Sequence, residues 1–304
     1  MIHPITFAIA AALTLLSKTA ASTELPGDEP EVQSYALDYE VKVLSDRRTN
    51  GLSDTFLKPG AELTVNAAHE SGLIGFLQVG TVAKESFPEG NRLTAVTAIG
   101  YRWGAPSGWH FGVGLAKEWF PGAKVDDAPT RPFVDLGAST NTRFDTSFGV
   151  FEFGYGAIEA RYLHVLSKDF RGNNSAVVCG SRFGNELLGM LLGQADASEA
   201  IACYGDGLKH SRGSQLLSVD TKYGLRHDTR LTAHIGYTKV KNFSQVTTID
   251  YKLGIVHTRW GLDFGLDLIA AQMKDRSYAI TYDAEGNAKR IDKSALIASL
   301  AKRF

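Results

Sequence analysis

Charged side chains recur at every second position in several stretches of this 304-residue chain. Asp38, Glu40 and Lys42 alternate with Leu37, Tyr39, Val41 and Val43. The same spacing places Arg102, Glu159 and Arg161, Asp220 and Lys222, His234, Asp250 and Lys252, and Asp263 and Asp267 between apolar neighbours. Residues two apart on an extended chain share a face. A face of carboxylates, ammonium groups and guanidinium groups has the chemistry of an aqueous bore. Such a bore passes small polar solutes and needs a polar lining and a constriction, not a catalyst. The mixed signs point to no strong anion or cation preference. The alternative is that these charges pair across strands and fill a narrow barrel, and the residue types leave both readings open.

Catalytic chemistry has a weaker basis. A serine hydrolase needs a nucleophile, a base and an orienting group within reach of one another. His227, His234, His257 and many serines are present, but there is no G-x-S-x-G elbow and no H-E-x-x-H. A lone histidine on a strand more often donates or accepts hydrogen bonds than acts as a base. The chain therefore reads as a non-enzyme that uses no cofactor. Cys179 and Cys203 are its only cysteines. Neither has a second Cys or a His at ligand spacing, which argues against a metal site. In an oxidising compartment a lone pair bridges. That bridge would close a loop of about 25 residues and contribute ~3 kcal/mol. Two separate buried thiols are the alternative.

The elements that would position these residues are strands. Twelve segments alternate apolar and polar residues, at approximately 36–46, 61–69, 73–82, 92–103, 109–119, 146–154, 157–167, 212–224, 229–242, 246–257, 260–273 and 294–304. Most approach the ~9–11 residues that a tilted strand needs to cross a bilayer. Their connections alternate short and long. His69 to Gly72, Ala105 to Gly108, Tyr155-Gly156, Arg226 to Asp228 and a turn near Thr258-Arg259 are short. The stretches 47–60, 83–91, 120–145, 168–211 and 274–293 are long, and Asn242 to Gln245 is intermediate. Short turns on one side and long loops on the other fit an all-β, antiparallel transmembrane β-barrel with periplasmic turns and external loops. Aromatics near segment ends, such as Tyr101, Trp103, Trp109, Trp119, Tyr237 and Trp260, fit interfacial girdles.

The N-terminus fits export. Ile5 to Leu16 is apolar and too short to span a membrane as a helix, and Thr19 to Ser22 are small. That reads as a cleaved signal peptide over 1–22. A short polar segment, 23–34, then precedes the barrel domain, 35–304. The formal net charge of −1 gives no electrostatic case for nucleic acid. The localisation that follows is a bacterial outer membrane, with lipid and lipopolysaccharide as surroundings. The terminal Phe304, with Leu296, Ala298 and Leu300 on its face, matches the C-terminal signal read by barrel-assembly machinery. Apolar wall residues suit lipid or a second copy of the chain alike, so a homo-oligomer stays open.

Two stretches stand outside the alternation. Within 168–211, Leu187, Leu188, Leu191 and Leu192 fall at helical spacing, with Asn185 as a cap, which predicts a short helix over Glu186 to Cys203. Tied down by the cysteine pair, it could gate the barrel mouth; a stapled surface loop is the favoured reading. Ser45, Asp46, Arg48, Gly51 and Ser53 lie where the first strand enters its loop. Arg48 is a candidate for an acidic group of solute or lipopolysaccharide. The favoured role is structural, with Gly51 allowing a turn and Asp46 pairing with an arginine.

Those residues also carry a family resemblance. Ser45-Asp46-Arg47-Arg48-Thr49-Asn50-Gly51-Leu52-Ser53 is similar to the S-D-x-R-x-x-G-[IL]-S opening of the TorF-type porin family, a group of Gcw_chp-like outer-membrane proteins. Ala68-His69-Glu70-Ser71-Gly72 resembles its first hairpin turn and Trp119-Phe120-Pro121-Gly122 a later strand end. Ser167 to Phe170, His234 to Thr238, Tyr251 to Gly254 and Lys302-Arg303-Phe304 resemble later blocks. The resemblance covers nearly all of the chain after the signal segment and implies an outer-membrane barrel of porin type. The function expected is passive diffusion of small polar solutes. A non-conducting surface scaffold is the alternative, and an outer-membrane hydrolase ranks below it.

Overall fold

The structure is a computed structural model that describes residues 35–105, 107–129, 139–183, 198–204, 208–283 and 285–304. The expected signal peptide, the polar segment after it, and most of the leucine-rich helix lie outside those residues. Tyr35–Phe304 form one compact unit.

All twelve expected segments are strands, and they close into one antiparallel barrel. We number them β1 (Tyr35–Leu44), β2 (Gly60–His69), β3 (Leu73–Thr81), β4 (Leu93–Gly104), β5 (Trp109–Trp119), β6 (Thr146–Tyr155), β7 (Ile158–Val165), β8 (Gln215–Arg226), β9 (Thr229–Lys239), β10 (Thr248–Arg259), β11 (Leu262–Met273) and β12 (Ala295–Arg303). Each pairs with its neighbour in sequence, and β1 pairs with β12 from Glu40↔Arg303 to Leu44↔Ser299. Closure leaves no strand edge, so the sheet satisfies its backbone groups internally, as a bilayer demands.

Register sorts the side chains. Along β10, Ile249, Tyr251, Leu253 and Ile255 are exposed on the outside. Their opposite-face neighbours Asp250, Lys252 and Gly254 pair with Gly236, His234 and Thr232 of β9 inside. Around the wall, Ile99, Leu115, Phe151, Leu217, Leu268 and Leu296 continue the exposed apolar surface. Tyr101–Trp103, Trp109–Tyr155 and Phe111–Phe153 pack ring to ring at the turn end, with centroids 4.8, 4.5 and 5.2 Å apart. An apolar belt with an aromatic rim is a surface solvated by lipid.

The turn end departs from expectation at one place. Trp260 is not the first residue of a strand. Trp260 and Gly261 have φ of 54° and 72°, and together they form the two-residue turn between β10 and β11. Two positive φ angles in succession match the twist of the flanking strands. Alternation carried Trp260 into the strand because its side chain continues the outer face, where the Arg259 guanidinium lies 4.3 Å from the ring centroid.

The loop end is more ordered than its lack of periodicity suggests. Short hairpins form at Arg48–Thr49 with Leu52–Ser53, at Lys124–Pro129 with Ser139–Arg143, and at Ile280–Tyr282 with Ala288–Arg290. Among the described residues two helices follow β7, α1 (Ser175–Phe183) and α2 (Ser198–Tyr204). The Asn174 carboxamide caps α1, accepting from the Val177 N–H at 3.1 Å.

An outward-facing arginine near the bilayer centre costs about 2–4 kcal/mol in a barrel of this kind. Leu253→Arg is therefore expected to lower unfolding free energy in lipid vesicles by that amount. The inward Ser218→Arg is expected to cost less. Equal losses at both positions would contradict the assignment of faces.

Candidate functional site: the bore and its loop cap

The inner face carries every charged residue expected there. Cross-strand partners share a face, and the chain of pairings links Glu40↔Thr64, Thr64↔Gln78, Gln78↔Val96, Val96↔Glu118 and onward around the ring. Asp38, Glu40, Lys42, Arg102, Glu159, Arg161, Asp220, Lys222, His234, Asp250, Lys252, Asp263 and Asp267 all fall on that face.

Cross-strand pairing gathers many of them into three groups. Arg102 donates to Glu152 at 2.9 Å, and Arg161 bridges Glu152 at 2.9 Å and Glu159 at 2.5 Å. His234 lies between Asp220 and Asp250, with Nδ1 2.8 Å from the first and Nε2 2.9 Å from the second. Glu40 receives Lys42 at 3.2 Å and Arg303 at 2.9 Å, while Arg230 reaches Asp263 at 2.6 Å. Asp38 accepts from the Asn66 carboxamide at 3.3 Å. Lys222, Lys252 and Asp267 make no ion pair among the described residues. Glu118, Glu152, Arg230 and Arg303 belong to the same face and were passed over, although alternation within their strands marks them.

The loop between β1 and β2 folds into the barrel. At the tip of its hairpin Gly51 has φ 74°, and a Cβ there would lie 2.6 Å from the Cβ atoms of Ala271 and Asp250. The tip therefore rests on the inner wall of β10 and β11, and only glycine fits so close an approach at that φ. Asp46 is the hub of the loop. Its carboxylate accepts from Ser53 at 2.6 Å, Thr55 at 3.0 Å and the Arg48 guanidinium at 2.7 Å. Arg48 also donates to the carbonyls of Gly51 and Lys293 at 3.1 and 2.6 Å. Ser45 continues the β1–β12 ladder, its Oγ accepting from Ala298 N–H at 3.1 Å.

A second buried chain of charges clasps the loops together. Arg47 reaches Asp54 at 2.6 Å and Glu62 at 3.4 Å. Asp54 lies 3.5 Å from Arg171, which follows β7. Arg171 forks onto Glu118 of β5 with bonds of 2.8 and 2.5 Å. Burial alone would push the Arg171 guanidinium down, but Glu118 and Asp54 hold it above its ordinary value, so it stays charged at every working pH. Backbone bonds tie the same loop to its neighbours. The Ser53 N–H donates to Ile291 O at 3.0 Å, and the Ala83 N–H to Asp54 O at 2.8 Å.

The cysteines form the expected disulfide, with Cα atoms 5.8 Å apart, and it joins α1 to α2. Val178 of α1 packs in one cluster with Phe148, Val165 and Leu216, three inner-face residues at the loop end. α1 thus caps one side of the mouth. Below the cap a cavity of about 620 Å³ runs along the inner faces of β1 to β8, bordered by Thr49, Asn50, Phe170 and Arg171. On the other side the His234 triangle and the tip of the β1–β2 loop occupy the bore. Among the described residues no cluster of His, Cys, Asp and Glu has metal-site geometry.

Fold and interior together define a membrane-spanning barrel with an asymmetric, loop-narrowed bore. The chain belongs to a bacterial family described as "bacterial protein of unknown function (Gcw_chp)", which matches residues 29–304. No curated protein matches it in sequence. Among solved structures it is similar to a KdgM porin at 7% identity, covering 88% of this chain and 98% of that one, with a TM-score of 0.42. It is similar to an outer-membrane channel from Pseudomonas putida F1 at 11% identity, covering 92% and 100%, with a TM-score of 0.37. The carbohydrate-binding barrel Wzi of Escherichia coli is similar at 10% identity, covering 89% and 84%, with a TM-score of 0.30. Likeness at this level says nothing about the interior.

Removing one partner of a buried pair leaves the other uncompensated, at about 3–5 kcal/mol. Arg171→Met is expected to destabilise by that order in a denaturant titration. Arg171→Met combined with Glu118→Gln is expected to recover part of the loss, as coupled sites do. Additive losses would show that the fork does not couple the loop to the wall.

Proposed function

We propose that the protein is an outer-membrane, porin-like channel of the TorF type, through which small polar solutes diffuse passively. The observation that carries this is the cavity itself. It is a space of about 620 Å³ inside a closed wall, bordered by charged groups, while the outer surface is apolar. On this reading the N-terminal segment directs export and is removed, and the aromatic turn end faces the periplasm. The inner-face charges then line the path, and the β1–β2 loop narrows it. Lipopolysaccharide surrounds the loop end, and Phe304 is the residue offered to the assembly machinery. Passive diffusion asks nothing of a catalyst, so the family motif at Ser45 to Ser53 serves to hold the constriction in place.

A non-conducting scaffold is the second reading, and the cap favours it. The packing of α1 on Phe148, Val165 and Leu216, with the clasp at Arg171, covers part of the mouth.

Single-channel recording of the refolded chain, Thr23 to Phe304, separates the two. Discrete, reproducible steps are expected. Gly51→Val is expected to displace the loop tip from Ala271 and Asp250 and to enlarge the step by on the order of twofold. An unaltered step would remove the β1–β2 loop from the role of constriction. A silent bilayer, with heat-modifiable gel migration showing a folded barrel, would favour the scaffold.

A further inference from the structure

The cavity has two kinds of wall. Its charged groups lie at its two ends: the paired Arg171 and Glu118 at the loop end, and Arg102, Glu152, Arg161, Glu159 and Lys222 on neighbouring strands toward the turn end. Above the turn-end group the inner face is apolar over β3 to β7, with Ile74, Phe76, Val96, Ala98, Val150 and Leu163 all facing the cavity. A water-filled bore has no use for such a surface, since the lumen of a conducting barrel is ordinarily polar. Apolar area facing water is unfavourable in proportion to its extent and becomes favourable when something apolar covers it. Gly100 and Gly114 lie opposite one another on β4 and β5, where a Cβ at either would come within 2.7 and 2.6 Å of the neighbouring strand's carbonyl oxygen, and neither adds a side chain to this wall.

The charged floor is balanced in number and unbalanced in presentation. The Glu152 side chain is only 10% exposed, with the guanidinium groups of Arg102 and Arg161 both on its carboxylate. The side chains of Arg102 and Arg161 are 36% and 40% exposed. Lys222 borders the same cavity and makes no ion pair among the described residues. Two further acids border the floor: Glu159, 32% exposed, is held by Arg161 at 2.5 Å, and Asp38, on β1, accepts from the Asn66 carboxamide. The floor below the apolar wall therefore offers positive charge.

We infer that the bore holds a binding subsite for small organic anions with an apolar body, such as arenecarboxylates. The body lies along Val96, Val150 and Leu163, and the carboxylate meets Lys222 and the exposed guanidinium faces of Arg102 and Arg161. The cavity volume falls within the range of small-molecule sites. This inference rests on the channel reading and narrows its solute.

The test uses the refolded full barrel in a planar bilayer. Reversal potentials under opposing potassium benzoate and potassium gluconate compare two monoanions, one with an apolar body and one with a polar body. Benzoate is expected to be favoured about tenfold, the scale of one to two methylene contacts in an apolar pocket. Val96→Thr with Val150→Thr is expected to bring the ratio close to one. Added to the chamber, benzoate is expected to interrupt the current where benzylammonium does not. Lys222→Gln is expected to weaken that block and Lys222→Arg to keep it. Equal permeability of the two anions, a ratio untouched in the double variant, or block by benzylammonium equal to that by benzoate would each overturn the inference while leaving the channel standing. If no current flows in potassium chloride, the channel reading fails by itself. The subsite is then read by saturation-transfer NMR of benzoate on the barrel in lipid nanodiscs. Transfer that disappears in the double variant supports the subsite, and absence of transfer overturns it.

Discussion

Closure of the sheet is the constraint from which the rest follows. A bilayer offers no water to an unpaired N–H or C=O, so every strand must find two neighbours. The chain meets this by pairing β1 with β12, and the last backbone N–H, that of Phe304, donates to Tyr39 O at 3.0 Å. Once the ring is closed, each side chain faces either lipid or bore. The outer face becomes apolar by necessity. The inner face is then the place where charge can reside, and its groups meet across strands at distances set by the register alone.

That register explains why the interior is a set of local neutralisations and not a uniform field. Glu152 meets Arg161 directly across β6 and β7, and His234 stands between Asp220 and Asp250 on its two flanking strands. A charge in a narrow bore is partly removed from water and gains most when an opposite charge sits on the next strand. The loops extend the same logic above the wall. Arg47, Asp54, Arg171 and Glu118 form one alternating line of charge from the β1–β2 loop, through the stretch after β7, to the wall at β5. The mouth is shaped by these ionic contacts together with apolar clusters around Phe120, Phe243 and Cys179.

How much of this the sequence disclosed depends on periodicity. Leu253 and Lys252 are adjacent and face opposite solvents, and that two-residue rhythm, repeated twelve times, made the barrel and its inner charges legible. The rhythm says nothing about Arg171, whose partner Glu118 lies 53 residues earlier and whose own neighbours form no strand. It misplaced Trp260, since alternation does not register a positive φ. It also hid the apolar inner wall. In β3, Leu73 to Val79 are apolar on both faces but for Gln78, so no contrast separates lipid side from bore side. The motif from Ser45 to Ser53 was visible as a pattern, but that its loop turns inward depends on Ala271 and Asp250 at the far end of the chain.

The ring closes through residues at its two extremes. Arg303 reaches Glu40 across 263 positions of sequence. Until the final strand is in place, β1 and β11 each present a bare row of hydrogen-bonding groups, the kind of edge on which unrelated chains pair. Closing so long a loop is entropically slow compared with forming any of the hairpins inside it. Assembly of this protein is therefore a contest in time. Eleven of its twelve strand pairings join sequence neighbours and can form locally, while the one that seals it must come last.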